Sequence, residues 1–361
     1  TVVRIDLARG VTQFDETRGL ASAYAATRWR GDLYVADGRG LYRLDAQAGL
    51  GAGRFERVLP NLRNVRQLAA INDQTLLVGS NSVHALSVDE RGTLQSQLLY
   101  DSTQVFAMEF SRAVPGRVWV AHPQGLLQLD QTATGEFKQT SVAGLTWPVY
   151  TLAEQDSKTL WMADRGGGVW RVAIGGEHAP QPYRTAQGVP EGIVRIYPGR
   201  QGAVWFATMA GLRVYDATTD QLVAPATLPP ELKSSRIFSL LEDFEGNLWA
   251  RGDDLNGVAL HQGGAYRWDG QMLNAVSTVH TVFGFLREQQ IVWVLRANGM
   301  LRIDLAARRP LTPLPTPMLT SAIDLTTGQA LRLAGLAQLP PTMRNVRLRF
   351  ALPANHRPEF N

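Results

Sequence analysis

The stretch "VWVAHPQGLLQLD", Val118 to Asp130, decides the fold because close copies of it return along the chain. Leu33 opens "LYVADGRGLYRLD", Leu160 "LWMADRGGGVWRV", Val204 "VWFATMAGLRVYD" and Val292 "VWVLRANGMLRID". Two looser copies, "LLVGSNSVHALSVD" from Leu76 and "LWARGDDLNGVAL" from Leu248, complete a series of starts at 33, 76, 118, 160, 204, 248 and 292. Successive steps are 43, 42, 42, 44, 44 and 44 residues. A fixed period of this size, with strand-like content and no heptads, is that of propeller blades. Seven copies predict an all-β, seven-bladed β-propeller.

Within a copy, "VWV" or "LWM" has the aromatic and β-branched bias of a strand buried on both faces. Turn residues follow, as in "ADGRG", "AHPQG" and "RANG", where Gly and Asn accept the backbone of tight hairpins. A strand of alternating character comes next, such as "LYRLD" or "LRVYD", with Asp as its stop. Upstream of six copies lies another apolar strand: "VRQLAAI", "VFAMEF", "VYTLAE", "IVRIYP", "IFSLLED" and "VFGFLRE". Downstream lies a more polar one, such as "GEFKQTSV". Inner, second, third and outer strand make one four-stranded antiparallel blade.

A ring must be closed or its first and last blades expose raw edges. The last copy reaches its third strand, "MLRIDLAA", but "RRPLTPLPTPM" then follows, and proline donates nothing to a ladder. Ahead of the first inner strand, around Ser22 to Thr27, the chain already carries strand-like sequence. Val11 to Asp15 is therefore expected to supply the outer strand of the blade containing Val292 to Asp304.

The 361 residues are 45% hydrophobic with 34 glycines, which suits many short strands and turns. The net charge is +4, yet the arginines are scattered and the aromatics sit at core-strand positions, unlike the basic stripe of a nucleic-acid binder. There is no cysteine and hence no disulfide framework. Lys138, Lys158 and Lys233 are the only lysines. Opening inside a strand-like segment and stopping at "RPEFN", the chain reads as an excerpt of something longer.

The repeat resembles the bacterial two-component regulator propeller, most closely in "IFSLLEDFEGNLWA" from Ile237 to Ala250, with Val204 to Asp216 and Val118 to Asp130 next. Leu77 replaces the aromatic in the weakest copy, and "RGDDLNG" departs from the short turn of the others. After a proline-rich linker at 310–318, the segment 319–361, with "LPPTMRNVRLRFA", resembles the opening strands of an Ig-like triple-tyrosine domain, incomplete at Asn361. The resemblance implies a propeller over 1–309 on the periplasmic side of an inner membrane, held there by a transmembrane segment outside this chain. It also implies output through a diguanylate cyclase or a histidine kinase, and a homodimer formed through the Ig-like region.

Blade geometry gathers two sets of loops at one mouth of the central channel: those entering the inner strands and those joining second to third strands. The first set carries Asn64, Gln104, Trp147, Glu191, Arg236 and His280. The second carries Arg39, His122, Arg165, Met209, Asp253, Asp254 and Arg296. A ligand site needs a few convergent polar groups with an aromatic surface, so these are the candidate ligand-binding residues. Their partner is expected to be a small molecule, sugar or anion, or a protein. Trp147 is either a ligand platform or loop packing, whereas Trp119, Trp161, Trp205, Trp249 and Trp293 belong to the core pattern. No catalytic residue, metal or cofactor is expected: the six histidines lack a paired spacing, "DRGGG" joins two strands and offers no helix N-terminus to a phosphate, and "RGD" at Arg251 to Asp253 is too short to carry meaning. The alternatives are a metal-assisted lyase using His122, His280, Glu191 and Asp254, or a scaffold for protein contacts.

Overall fold

The computed structural model describes residues 10–48, 53–59, 61–175, 179–273, 281–307, 318–331 and 345–351. It divides into two compact units, Thr1–Ala307 and Arg308–Asn361. In the first, seven four-stranded antiparallel sheets follow one another, the seven blades of a propeller. Their inner strands are Ala25–Trp29, Gln67–Asn72, Ala107–Phe110, Thr151–Asp156, Arg195–Pro198, Ile237–Glu242 and Val282–Glu288, which number blades 1 to 7.

Ring closure follows the expectation. Val11–Phe14 pairs with Gly299–Asp304, Val11 opposite Ile303 and Phe14 opposite Met300, so the chain's beginning completes the sheet of blade 7. Phe14 is fully buried and packs on Phe55 of blade 1 and Trp293 of blade 7, with ring centroids 5.3 and 5.8 Å away. The closing strand thus contributes packing on both sides of the seam as well as ladder hydrogen bonds.

The cores lie between blades. Trp161, Val169 and Tyr183 of blade 4 form one cluster with Ile196 and Phe206 of blade 5, and Trp249 and Val258 of blade 6 pack with Val292 and Val294 of blade 7. All five second-strand tryptophans are buried. A buried indole needs an acceptor for its N–H, and the far end of an inner strand supplies it. Trp119 donates to Glu154 of the next blade at 2.7 Å, Trp205 to Glu242 of the next at 2.6 Å, and Trp29 to the Asn72 carbonyl at 2.9 Å. Within their own blades, Trp161 donates to Gln155, Trp249 to Asp243 and Trp293 to Glu288. Arg28 of blade 1 reaches across the seam to Glu288 of blade 7 at 2.7 Å.

The aspartates read as strand stops act as turn acceptors. Asp45, Asp216 and Asp304 each take the N–H two residues on, from Gln47, Thr218 and Ala306, the side-chain mimic of a backbone turn. Two of the repeated glycines have a steric reason as well. Gly125 and Gly299 have positive φ and lie against the carbonyls of Leu145 and Phe14, where a Cβ would collide. Each lets the start of a third strand pass beneath a loop.

In the second unit, Met318–Asp324 and Val346–Ala351 pair as an antiparallel ladder. Asp324 accepts from the Thr326 N–H and the Thr327 hydroxyl.

Candidate functional site

A buried small or β-branched residue stands just before or at the start of every inner strand: Ala23, Val65, Val105, Val149, Val194, Ile237 and Val282. The residue after it is Tyr24, Arg66, Phe106, Tyr150, Arg195, Phe238 or Phe283. All seven line one cavity of about 620 Å³, formed by the inner strands of all seven blades around the axis. One position of the repeat therefore places five aromatic rings and two guanidiniums, one from each blade, around the channel.

Local backbone geometry turns these side chains inward. Tyr24 donates its N–H to Ala36, which already pairs with Ala25; Phe106 does the same to Ala121, the partner of Ala107, and Tyr150 to Ala163, the partner of Thr151. In blades 6 and 7 the register slips across Phe238 and across Phe283. Two residues thus oppose one on the second strand, the geometry of a β-bulge, which re-aims a side chain.

The collar makes several ring contacts. Tyr24 meets Phe283 edge-on at 4.7 Å, and Phe106 meets Tyr150 at 5.5 Å. Arg66 lies 4.9 Å over the Tyr24 ring, while Phe238 is flanked by Arg195 at 5.9 Å and Arg236 at 4.5 Å. Such cation–π contacts hold a guanidinium in place while leaving its N–H groups outward. Arg195 also donates to the Phe238 carbonyl, as does Tyr197 at 2.7 Å.

Below the collar, Glu109 and Tyr197 line the same cavity. Three residues beyond Phe106 on an extended strand, Glu109 lies ~10 Å further along. Burial pushes its carboxyl up to about 7, against a smaller opposing pull from Arg112. Burial likewise pushes the Tyr197 phenol up to about 12. Near neutral pH the only carboxylic acid among the described lining residues is thus half-protonated.

Of the expected ligand-binding residues, Gln104 lines this cavity. Arg236 touches the collar through Phe238 and sits 4.0 Å from Asp253. Asn64, Glu191, Arg39 and Arg165 are exposed and do not line it, and Arg39 pairs with Glu16 at 3.0 Å. His280 lies outside the described residues. Trp147 packs in the loop: its ring stacks at 5.3 Å on Trp170 and its Nε1 is buried without a partner.

His122 and Arg296 are both buried, 3% exposed. They occupy the last position of the second strand, where Asp37, Ser80, Asp164 and Thr208 accept N–H groups of the following turn. His122 does the same, its Nδ1 accepting from the Gln124 N–H at 3.3 Å, and burial lowers its pKa. Arg296 has no acceptor to offer, and its Nε and Nη2 are buried without partners. Asp254 is exposed, and among the described residues no group of three or more His, Cys, Asp or Glu is placed to hold a metal ion. No helix of the described residues is long and apolar enough to cross a membrane.

Sequence reasoning looked two to four residues upstream of the collar. The missed signal is a column: aligned on their buried valines, inner strands show aromatic or arginine at the next position, and arginine has no place in a core column.

No family model matches the chain, and no curated protein matches it. Solved structures do. The extracellular domains of two hybrid two component systems from B. thetaiotaomicron align over 86% of the chain with TM-scores of 0.63 and 0.59, at 18% and 13% identity. Virginiamycin B lyase from Staphylococcus aureus aligns over 81% with a TM-score of 0.58 at 11% identity, and 98% of that enzyme is covered. The chain spans 43% and 41% of the two bacterial receptor domains. At these identities the likeness establishes a propeller shared with extracellular receptor domains and with an enzyme alike.

Proposed function

We propose that this chain is the ligand-sensing propeller of a membrane-bound bacterial signalling receptor, working outside the cytoplasm. The observation that carries this reading is the collar. Seven independent blades each place an aromatic ring or a guanidinium at one position on the channel, although a propeller that only held its shape would need no such agreement there. A concave cavity with aromatic walls and few polar groups is the usual form of a small-molecule site. The two receptor extracellular domains among the structural neighbours support the setting.

In this reading residues 319–361 open the Ig-like triple-tyrosine domain, which passes the signal to a diguanylate cyclase or histidine kinase beyond this chain, in a homodimer. Signalling requires that the ligand bind two states of the receptor with different affinity. The test is a thermal-shift screen of the purified chain against sugars, organic acids and amino acids, because a ligand of the folded state raises the melting temperature. A shift seen in the native chain and lost in Tyr150→Ala supports the reading. Ligand shifts that persist unchanged in Tyr150→Ala and Phe238→Ala place the site elsewhere and overturn it.

A further inference from the structure

The chemistry left open inside the channel narrows the ligand. The neutral polar groups of the inner wall are engaged with the protein itself: Gln67 donates to the Phe106 carbonyl at 2.8 Å, Ser239 to the Val282 carbonyl at 2.8 Å, Tyr197 to the Phe238 carbonyl, and Thr151 accepts the Ile196 N–H at 3.0 Å. A polyol, which needs many free donors and acceptors, finds few here beyond the tyrosine hydroxyls and, at the rim, Gln104 and Thr281.

Ring faces and charge are what remain. Arg66 is exposed over Tyr24, and its guanidinium makes no hydrogen bond or ion pair among the described residues. Arg195, on blade 5, donates to the Phe238 carbonyl and also hydrogen-bonds the Tyr197 hydroxyl, its guanidinium 5.9 Å from the Phe238 ring. Arg251 adds a third positive charge to the lining while its Nη1 donates to the Asp253 and Leu255 carbonyls, against the one carboxyl, that of Glu109, among the described lining residues. An excess of positive charge between low-dielectric aromatic walls concentrates anions, and a guanidinium fork fits a carboxylate or sulfonate in a two-pronged bond.

We propose that the channel mouth binds a small organic anion with a flat, aromatic body, its acidic head on Arg66 and Arg195 and its ring against Phe106, Tyr150 and Phe238. This rests on the sensing reading above and assigns that site its ligand class. A cavity of about 620 Å³ has room for one such molecule of one or two rings. The arginines are already held over aromatic faces, so little side-chain freedom is lost when the head arrives.

Isothermal titration of the whole chain with four probes tests the assignment: 2-naphthoate carries ring and charge, 2-naphthylmethanol ring alone, acetate charge alone, and maltose neither. The expected result is 2-naphthoate binding at least tenfold tighter than any of the others. Arg66→Gln and Arg195→Gln should each weaken it tenfold or more while leaving 2-naphthylmethanol unchanged. Arg66 is exposed, and equal urea midpoints for Arg66→Gln and the native chain show that folding is not the cause. Tighter binding of maltose or 2-naphthylmethanol, lost in Tyr150→Ala, overturns the anion assignment while keeping the channel as a sensory site. Naphthoate binding that is indifferent to both arginines and to Tyr150 overturns both.

Discussion

The two ends of the inner strands carry the same fold to opposite purposes. At the far end, acidic or amide groups accept from buried tryptophans: Glu154 from Trp119, Glu242 from Trp205, Asp243 from Trp249. Several of these bonds cross to the neighbouring blade, so the ring is stitched there. At the near end the repeat places aromatic rings and arginines around an open cavity, and the Arg66 guanidinium there makes no hydrogen bond or ion pair among the described residues. Contacts between blades run through the near end too, where Tyr24 meets Phe283, Phe106 meets Tyr150, and Arg195 and Tyr197 donate to the Phe238 carbonyl. What sets that end apart is that ring faces and guanidiniums there also line a cavity.

The comparison breaks most sharply at Glu154. Its carboxylate is 2% exposed and accepts from the Trp119 indole, the Ser111 hydroxyl and the N–H groups of Arg112 and Ala113. Glu154→Ala takes the partner from three donors, the buried Trp119 indole, the Ser111 hydroxyl and the Arg112 N–H, while the Ala113 N–H keeps Ser111 Oγ; losses of about 1–3 kcal/mol apply to each buried orphan, though not additively. The expected cost is at least about 3 kcal/mol, read as a lower urea midpoint. Glu154→Gln, which keeps an acceptor oxygen, should lose less. At the other end, Arg66→Gln should move the midpoint by no more than about 0.5 kcal/mol, as an exposed change away from packed contacts does. Similar losses at the two ends would end the distinction.

Glu109 sharpens it. A carboxyl pushed up to about 7 by burial keeps its proton in the folded chain where the unfolded chain has released it. Its contribution to stability is complete below the ordinary value of 4.5 and is lost as pH rises from there through about 7. Glu109→Gln does not titrate, so the variant should be the more stable at pH 8, by about 2 kcal/mol after allowance for a channel open to water. At pH 4 the two chains should match. Urea midpoints at the two pH values decide this, and a variant less stable at pH 8 would show that the ionised carboxylate has a partner holding the channel together.

What was legible in the sequence follows the same division. The blade count, the five buried tryptophans, the Asp stops and the closing strand at Val11 all rest on periodicity and burial, which the repeat shows seven times over. The collar was missed because strand reasoning assumes strict alternation. A bulge at Phe238 or Phe283 puts two residues opposite one, and what reads as the first core-strand residue becomes the channel lining. His122 and Arg296 were singled out for their chemistry, whereas their position in the repeat is that of a turn acceptor. Comparing the copies at that position, Asp37, Ser80 and Thr208, identifies His122 as one more acceptor. Trp147 stood outside the strand pattern and still packed, on Trp170 of the next blade, because loops entering the inner strands also cover the interblade cores.

The smallest effect belongs to the histidines of the turns and outer layers. Burial lowers the pKa of His122, and burial likewise lowers that of His84 against an opposing pull from Asp101. Above the ordinary value of 6.5 both rings are neutral whether the chain is folded or not, and they cost nothing. As pH falls below 6.5 the unfolded chain takes up protons that the folded rings refuse until their lowered values are reached, so stability declines through that window. At His122 protonation would remove the Nδ1 lone pair that faces the Gln124 N–H at 3.3 Å, offset in part by the Gln124 Oε1 3.1 Å from the same nitrogen. A His122→Asn variant keeps a side-chain acceptor that does not titrate, and asparagine suits such a turn. It should match the native chain at pH 8 and hold a flatter profile between pH 6.5 and 5, a difference below about 1 kcal/mol. If the native profile proves no steeper than the variant's, the ring takes its proton without disturbing the turn, and the near end of blade 3 is looser than its hydrogen bond implies.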